Sequence, residues 1–553
     1  MKKIIVLLIV SLLTNSISYA QNKYTQEEIN AVAKKIEEFA TIDLVYDLSQ
    51  LKRHERVILP FLLQAAEIAD SAFWLQSYGS QTELKYRLMN DTLFEFAKMN
   101  YGPYERLNNN QAFVKGFGEK PLGARFYPSD MTVEEFQKLA DTNKYSLYTV
   151  IRRDETGALY VKNYQEEYSA YAQGIKSQLQ EAAMIVGLTD SMFAVYLWER
   201  GEAMESLEFE HSDILWLESK NNTLGIIIGP IETYEDQLLG IKTSYEAYVV
   251  AKDKEWSKKL QKYVELLPKL QKGLPVDKKY RAELPGLKSQ IGAYDALYYA
   301  GDCNSGSKTI AVNLPNDENV QKNYGTRRLQ FKNVMKAKFD SILMPISEVL
   351  IDSNQRDYIN FNAFFSNTMF HEVAHGLGIK NTIEGAVPVT KALGKYYSAL
   401  EEGKADVLGL YMITELLESG DLTEGSLEEY YTTFVASIFR SVRFGASSAH
   451  GKANMVRFNY FIKEGAIIKN SNGTYTVDYD KMKKAVYQLS NIILTIQGDG
   501  NIKAAEQLFV EEGVIKKDLQ ADLDRLRLLG IPVDIKFNQG IDVLENYTKS
   551  LKK

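Results

Sequence analysis

Apolar positions between residues 27 and 78 recur at three- and four-residue intervals, with Leu44, Leu48 and Leu51 as an example, and this spacing predicts helix. Residues 101–128 are rich in Gly, Pro and Asn and predict an irregular segment. Tyr148 to Ile151 and Leu159 to Val161 flank a polar turn at residues 154–157, the pattern of a hairpin. The Ile-rich run at residues 224–228 reads as a buried strand. Residues 256–267 form an amphipathic helix pattern, with Pro268 and Gly273 beyond it. Short apolar runs at 296–299 and 310–312 read as strands around a polar turn at 301–307. From about residue 333 to about 494 helical spacing dominates. The pattern holds no repeat and no low-complexity tract. It predicts a mixed α/β (α+β) protein, mostly helical, with a strand-rich middle.

The first twenty residues follow a different logic. Lys2 and Lys3 precede an apolar run from Ile4 to Leu13, and Ser18-Tyr19-Ala20 is small at its first and third positions. That is the pattern of a secretory signal, too short in its apolar part to span a bilayer as a helix. The expectation is an exported protein, periplasmic or secreted, whose mature chain begins near Gln21. No second apolar stretch reads as long enough to cross a membrane, so no stable membrane insertion is expected after removal of the signal.

At 553 residues, 45% hydrophobic and 25% charged, the composition is that of an ordinary globular protein large enough for more than one domain. A net charge of −7 without a long basic run argues against a nucleic-acid partner. Cys303 is the single cysteine, so neither an internal disulfide nor a cysteine-rich zinc site is possible.

The chemistry-bearing signal is His371-Glu372-Val373-Ala374-His375. Two histidines four apart share a helix face about 5–6 Å apart and can reach one metal ion. Glu372, one position along, can touch a metal-activated water without binding the metal. A catalytic zinc commonly takes three protein ligands and leaves a place for water. Downstream, Glu402 and Asp406 lie four apart in Glu401-Glu402-Gly403-Lys404-Ala405-Asp406. That spacing suits one ligand and one acceptor for the remaining ring N–H of a bound histidine. Taken alone, this acidic run reads more readily as a solvated helix start favoured by the helix dipole.

The pair of histidine and acidic motifs, above all residues 398–412 (SALEEGKADVLGLYM), resembles the dipeptidyl peptidase III family, peptidase family M49. Glu232 and Tyr234 in GPIETY, Asn313 and Asn316 in NLPN, and His450 at the opening of a helix resemble further segments of that family. The resemblance implies one Zn2+ per chain on His371, His375 and Glu402, with Glu372 as general base. It implies that Glu401 and Asp406 support the ligands from behind. It implies that His450 and Tyr234 assist catalysis, as candidate donors to the oxyanion. Glu232, Asn313 and Asn316 would then recognise the free amino end of a peptide. Two departures stand out. The histidine motif is one residue shorter than usual in the family, with a shorter interval to the acidic motif, which suggests a trimmed upper lobe. Asn454 stands where the typical family member has Arg.

The resulting expectation is a two-lobed protein. One lobe, with a β-rich core, takes residues 21–255, about 290–335 and about 500–553. The helical zinc lobe takes about 256–290 and 336–500. The expected activity is removal of dipeptides from the N-terminus of short peptides. The alternatives are a zinc aminopeptidase or endopeptidase of the same motif class, and a catalytically weak peptide-binding homologue.

Overall fold

A computed structural model of the protein describes residues 23–284, 289–443 and 445–552. The expected signal segment lies outside the described residues.

Among the described residues the largest sheet has five strands. They are β1 (Leu224–Glu232), β2 (Ser244–Asp253), β3 (Ser289–Gly301), β4 (Ala311–Leu314) and β5 (Thr326–Phe331), in the spatial order β1-β2-β3-β5-β4. Neighbours are antiparallel except β3 and β5, which run parallel. The long helix α1 (Arg53–Ser77) packs across β2 and β3. From Ser244 to Ala251 every residue of β2 is buried, so the strand has no polar face and its sequence does not alternate. The side chain of Asn316, just past β4, donates to the Ile231 carbonyl at the end of β1 (3.3 Å). This contact brings the two edges of the sheet together.

The second lobe is a helical bundle. It contains α2 (Phe361–Ala374), α3 (Tyr397–Glu418), α4 (Leu427–Val442), α5 (Ala449–Lys463) and α6 (Tyr479–Asp499). Helix α3 runs through its middle and packs against the other four. It is buried along almost its whole length, from Ala399 to Leu416.

The two-lobed mixed fold is the one expected, and so are the hairpin (Thr149–Arg153 with Leu159–Asn163) and the helix at Lys254–Glu265. Three expectations need correction. Residues 27–78 are not continuously helical: a strand, Phe39–Asp43, follows the helix Gln26–Glu37 and pairs in parallel with Asp534–Asn538 near the C-terminus. Leu44, Leu48 and Leu51 lie in the connection to α1, with only a 3-10 turn at Leu48–Gln50. Each is buried, and apolar anchors of an irregular segment mimicked helical spacing. Finally, α1, at 25 residues, is long and apolar enough by length and composition to cross a membrane. Here most of its apolar residues, including Ile58, Leu62, Phe73 and Trp74, are buried in the core.

Candidate metal centre and adjoining cleft

Helix α2 begins where the Asn360 side chain accepts from the Ala363 N–H, satisfying one of the free donors of the first turn. Phe364, Phe365, Met369, Phe370 and Val373 are buried, which fixes the helix rotation and turns His371 and His375 to one side. The two rings lie 4.8 Å apart. Helix α3 crosses close by because residue 409 is Gly. A Cβ there would meet the His371 backbone nitrogen at 3.0 Å and the Phe370 carbonyl carbon at 3.2 Å.

This close crossing brings Glu402 to the histidines. Candidate ligand atoms of His371, His375 and Glu402 all lie within 4.8 Å of one another, forming a three-residue group suited to a metal. The Glu402 Oε2 atom is 3.2 Å from His371 Nε2 and 3.8 Å from His375 Nε2. It is buried and accepts no well-aligned hydrogen bond among the described residues. A buried carboxylate oxygen facing two imidazole nitrogens is what a cation would satisfy.

The support behind the ligands is complete on both sides. His371 Nδ1 meets Asp406 Oδ1 at 2.7 Å, and His375 Nδ1 meets Glu401 Oε1 at 3.0 Å. Each carboxylate can accept a ring N–H and leave the Nε2 lone pair for a metal. Arg457 Nη1 lies 2.5 Å from Asp406 Oδ2. Glu401 receives Lys404 Nζ at 2.7 Å and Gln497 Nε2 at 3.0 Å.

The electrostatics carry the same message. Burial pushes the Asp406 carboxyl up, but Arg457 and His371 together hold it well below the usual range. Burial also raises Glu401, and the charge of Lys404 and the contact with His375 bring it down to about 2. Burial disfavours a charged His371, yet Asp406 and Glu402 raise it to about 10. A group of carboxylates that holds a proton on a buried histidine this firmly is short of positive charge. A metal ion would take the place of that proton.

Three more sequence candidates are close by. His450, exposed at the start of α5, puts Nδ1 at 3.2 Å from Glu402 Oε2. Asn454 is buried and turned inward: its amide donates to Ser441 Oγ and the His450 carbonyl, and its oxygen accepts from Arg457. Glu372 accepts from Arg328, on β5, at 3.0 Å.

The remaining candidates gather elsewhere. Glu232, Tyr234, Asn313 and Asn316 line one cavity of about 510 Å3 beside the sheet, and no metal-site residue lines it. Glu246 and Asp302 lie in the same wall. Glu246 is 2% exposed, and its Oε1 has no hydrogen-bond partner among the described residues. Burial, and then the charges of Asp302 and Glu232, push its carboxyl well above the usual range. Burial, with the charge of Glu235, raises Asp302 to about 7. Cys303 is buried in the same region.

Sequence reasoning missed Arg328, Arg457, Lys404 and Glu246. Arg457 was within reach, since it lies one turn beyond Asn454 on a helix that the sequence places near the metal. Glu246 was too, as a lone charge in the apolar run Tyr245 to Ala251.

Comparison with known proteins agrees with this geometry. The sequence pattern of peptidase family M49 matches residues 137–385, which include His371, Glu372 and His375. "Nudix hydrolase 3" of Arabidopsis thaliana is 31% identical over an alignment covering 92% of this chain and 74% of that protein. The solved structure of DPP III from Caldithrix abyssi superposes with a TM-score of 0.87 at 34% identity, covering 94% of this chain and 99% of that one. Dipeptidyl-peptidase III from Corallococcus sp. strain EGB gives 0.77 at 33% identity, covering 95% and 99%. Sequence identity over nearly the whole chain, the shared two-lobed fold and the histidine–glutamate cluster lead to one conclusion: the chain belongs to peptidase family M49, the dipeptidyl peptidase III metallopeptidases.

Proposed function

We propose that the protein is a zinc-dependent exopeptidase that removes dipeptides from the N-terminus of short peptides. The observation that carries this reading is the cluster of His371, His375 and Glu402. The imidazole and carboxylate donor set suits zinc. When bound, zinc supplies a Lewis acid that makes water nucleophilic near neutral pH. Glu372 takes a proton from the attacking water and returns one to the leaving amine. Glu401 and Asp406 hold the two rings in the tautomer that binds metal. His450, beside Glu402 at the solvent side, is a candidate donor to the oxyanion that forms on the scissile carbonyl. Tyr234, in the cavity beside the sheet, is a second one that would reach it once the lobes close on a peptide.

Recognition of the free amino end is assigned to the cavity beside the sheet. Glu232 offers a charge and Asn313 and Asn316 offer amide oxygens. The buried, unpartnered oxygen of Glu246 strengthens the preference for a cationic group over a blocked one. A peptide laid along the edge of β4 would place its amino end there. Asn454 is occupied between α4 and α5, by Ser441, the His450 carbonyl and Arg457, and makes no contact with a peptide in this reading. The amino-terminal signal pattern supports action outside the cytoplasm, in the periplasm or beyond the cell.

The test is hydrolysis of a dipeptidyl-naphthylamide such as the Arg-Arg compound. Activity should vanish on chelation, return with zinc, and fall at least ~100-fold in Glu372→Ala, the scale of a lost general base. An Nα-acetylated peptide should resist cleavage. Equal rates for wild type and Glu372→Ala would overturn the assignment. Release of single residues, or of internal fragments, would move the protein to the aminopeptidase or endopeptidase class. Tight peptide binding without product would make it a binding homologue.

A further inference from the structure

Arg327 and Arg328 are neighbours on β5, and successive strand residues face opposite sides of a sheet. Arg327 turns into the fold, where its guanidinium donates to the Leu217 and Ser219 carbonyls and to Gln290. Arg328 turns the other way. Its Nη1 donates to the Glu372 carboxylate at 3.0 Å and to the Glu372 backbone carbonyl at 2.9 Å. Both side chains are 20% exposed, so the pair is largely shielded from solvent.

Two features separate this contact from a surface ion pair. The Glu372 carbonyl belongs to the last turn of α2, where carbonyls lack helical donors and a cation is favoured by the helix dipole. One nitrogen therefore ties both the backbone and the carboxylate of the same residue. The register of the sheet supplies the second feature. Arg328 stands directly opposite Asn313 on β4, and residues paired in this way project from the same face. The guanidinium that holds Glu372 thus shares a sheet face with a residue assigned to the peptide's amino end.

We propose that Arg328 is a positioning residue for peptide hydrolysis, fixing the orientation of the Glu372 carboxylate from the strand next to the peptide-binding edge. The proposal rests on the reading of Glu372 as general base. It requires nothing of Arg328 in metal binding, because the guanidinium touches none of the three ligands. It also suits Arg, whose planar, always-charged guanidinium keeps the donating Nη1 in a fixed position.

The experiment measures kcat, KM and metal content for Arg328→Met, Arg328→Lys, Glu372→Gln and the double variant Arg328→Met/Glu372→Gln. Arg328→Met should keep its metal and its KM within ~3-fold while kcat falls ~10–100-fold, the cost of a misplaced catalytic group. Arg328→Lys, which keeps one charged donor, should recover part of that loss. In the Glu372→Gln background the Met substitution should change the residual rate by less than ~2-fold, because residues acting through one another are not additive. The proposal is overturned if Arg328→Met keeps the wild-type kcat, or if its loss is undiminished when Glu372 is already Gln. Should Arg328→Met fold poorly, Arg328→Lys decides: a KM effect with unchanged kcat would also sink the proposal. A fully active Glu372→Gln would remove the base reading itself, and is recognisable as that because it needs no change at Arg328.

Discussion

His371 is held by two carboxylates that favour its charged form, Asp406 at Nδ1 and Glu402 at Nε2. In the metal-free chain this raises its pKa to about 10 from an ordinary 6.5. The proton-linked stabilisation of the metal-free fold is therefore complete below 6.5 and is lost as pH rises through about 10. A metal ion must displace that proton, since a ligating imidazole is neutral. Apparent metal affinity should consequently fall by about tenfold for each pH unit of acidification below the raised pKa. Competition with a fluorescent chelator across pH checks this, and a flat profile would contradict the charge arrangement around His371. The imidazole and carboxylate types at these positions were legible in the sequence because all of them lie in two short motifs. Arg457 was within reach, one turn beyond Asn454 on the same helix, but Arg328 was not, because it meets Glu372 across a tertiary contact that no local spacing encodes.

At the scale of elements, the centre depends on two helices crossing with almost no space between them. Gly409 makes this possible, since a methyl group at that position would press on the backbone of His371 at 3.0 Å. Backbone cannot rotate away as a side chain can, so α2 and α3 would have to separate. Gly409→Ala should cost ~1–3 kcal/mol, the range for overpacking, and should weaken metal binding because Glu402 and His371 sit on opposite sides of the displaced contact. Gly403 on the same helix is the control. A Cβ there would meet the Ile493 side chain at an ordinary 3.6 Å, so Gly403→Ala should be neutral or gain up to ~1 kcal/mol from helix propensity. Denaturant unfolding and metal titration of the pair check both. Helices with a mixed surface, such as Lys254–Glu265, were readable from their period. Strand β2 was not, since it is almost wholly buried and carries no polar alternation.

At the scale of the whole molecule, one continuous hydrophobic core extends through both lobes, and the C-terminal segment is stitched into it far from its neighbours in sequence. That stitching was invisible in the sequence, because a parallel pair between Phe39–Asp43 and Asp534–Asn538 joins opposite ends of the chain. Asp534 does more than lie in a strand. Its carboxylate takes Lys338 Nζ at 2.9 Å and Ser307 Oγ at 2.5 Å, linking the C-terminus to the end of the helix Lys332–Lys338 and to the loop between β3 and β4. Burial lowers the pKa of the Lys338 ammonium, while the charge of Asp534 opposes that shift. Asp534→Ala would leave this buried ammonium unpaired, a loss of the kind that costs ~3–5 kcal/mol. Because the core is continuous, the loss should lower a single cooperative unfolding transition and leave metal affinity unchanged. Calorimetry of the zinc-loaded and chelated protein separates the two effects. A metal-dependent shift should appear in wild type and variant alike, whereas an unchanged melting temperature in Asp534→Ala would mean that the terminal strand does not anchor the fold.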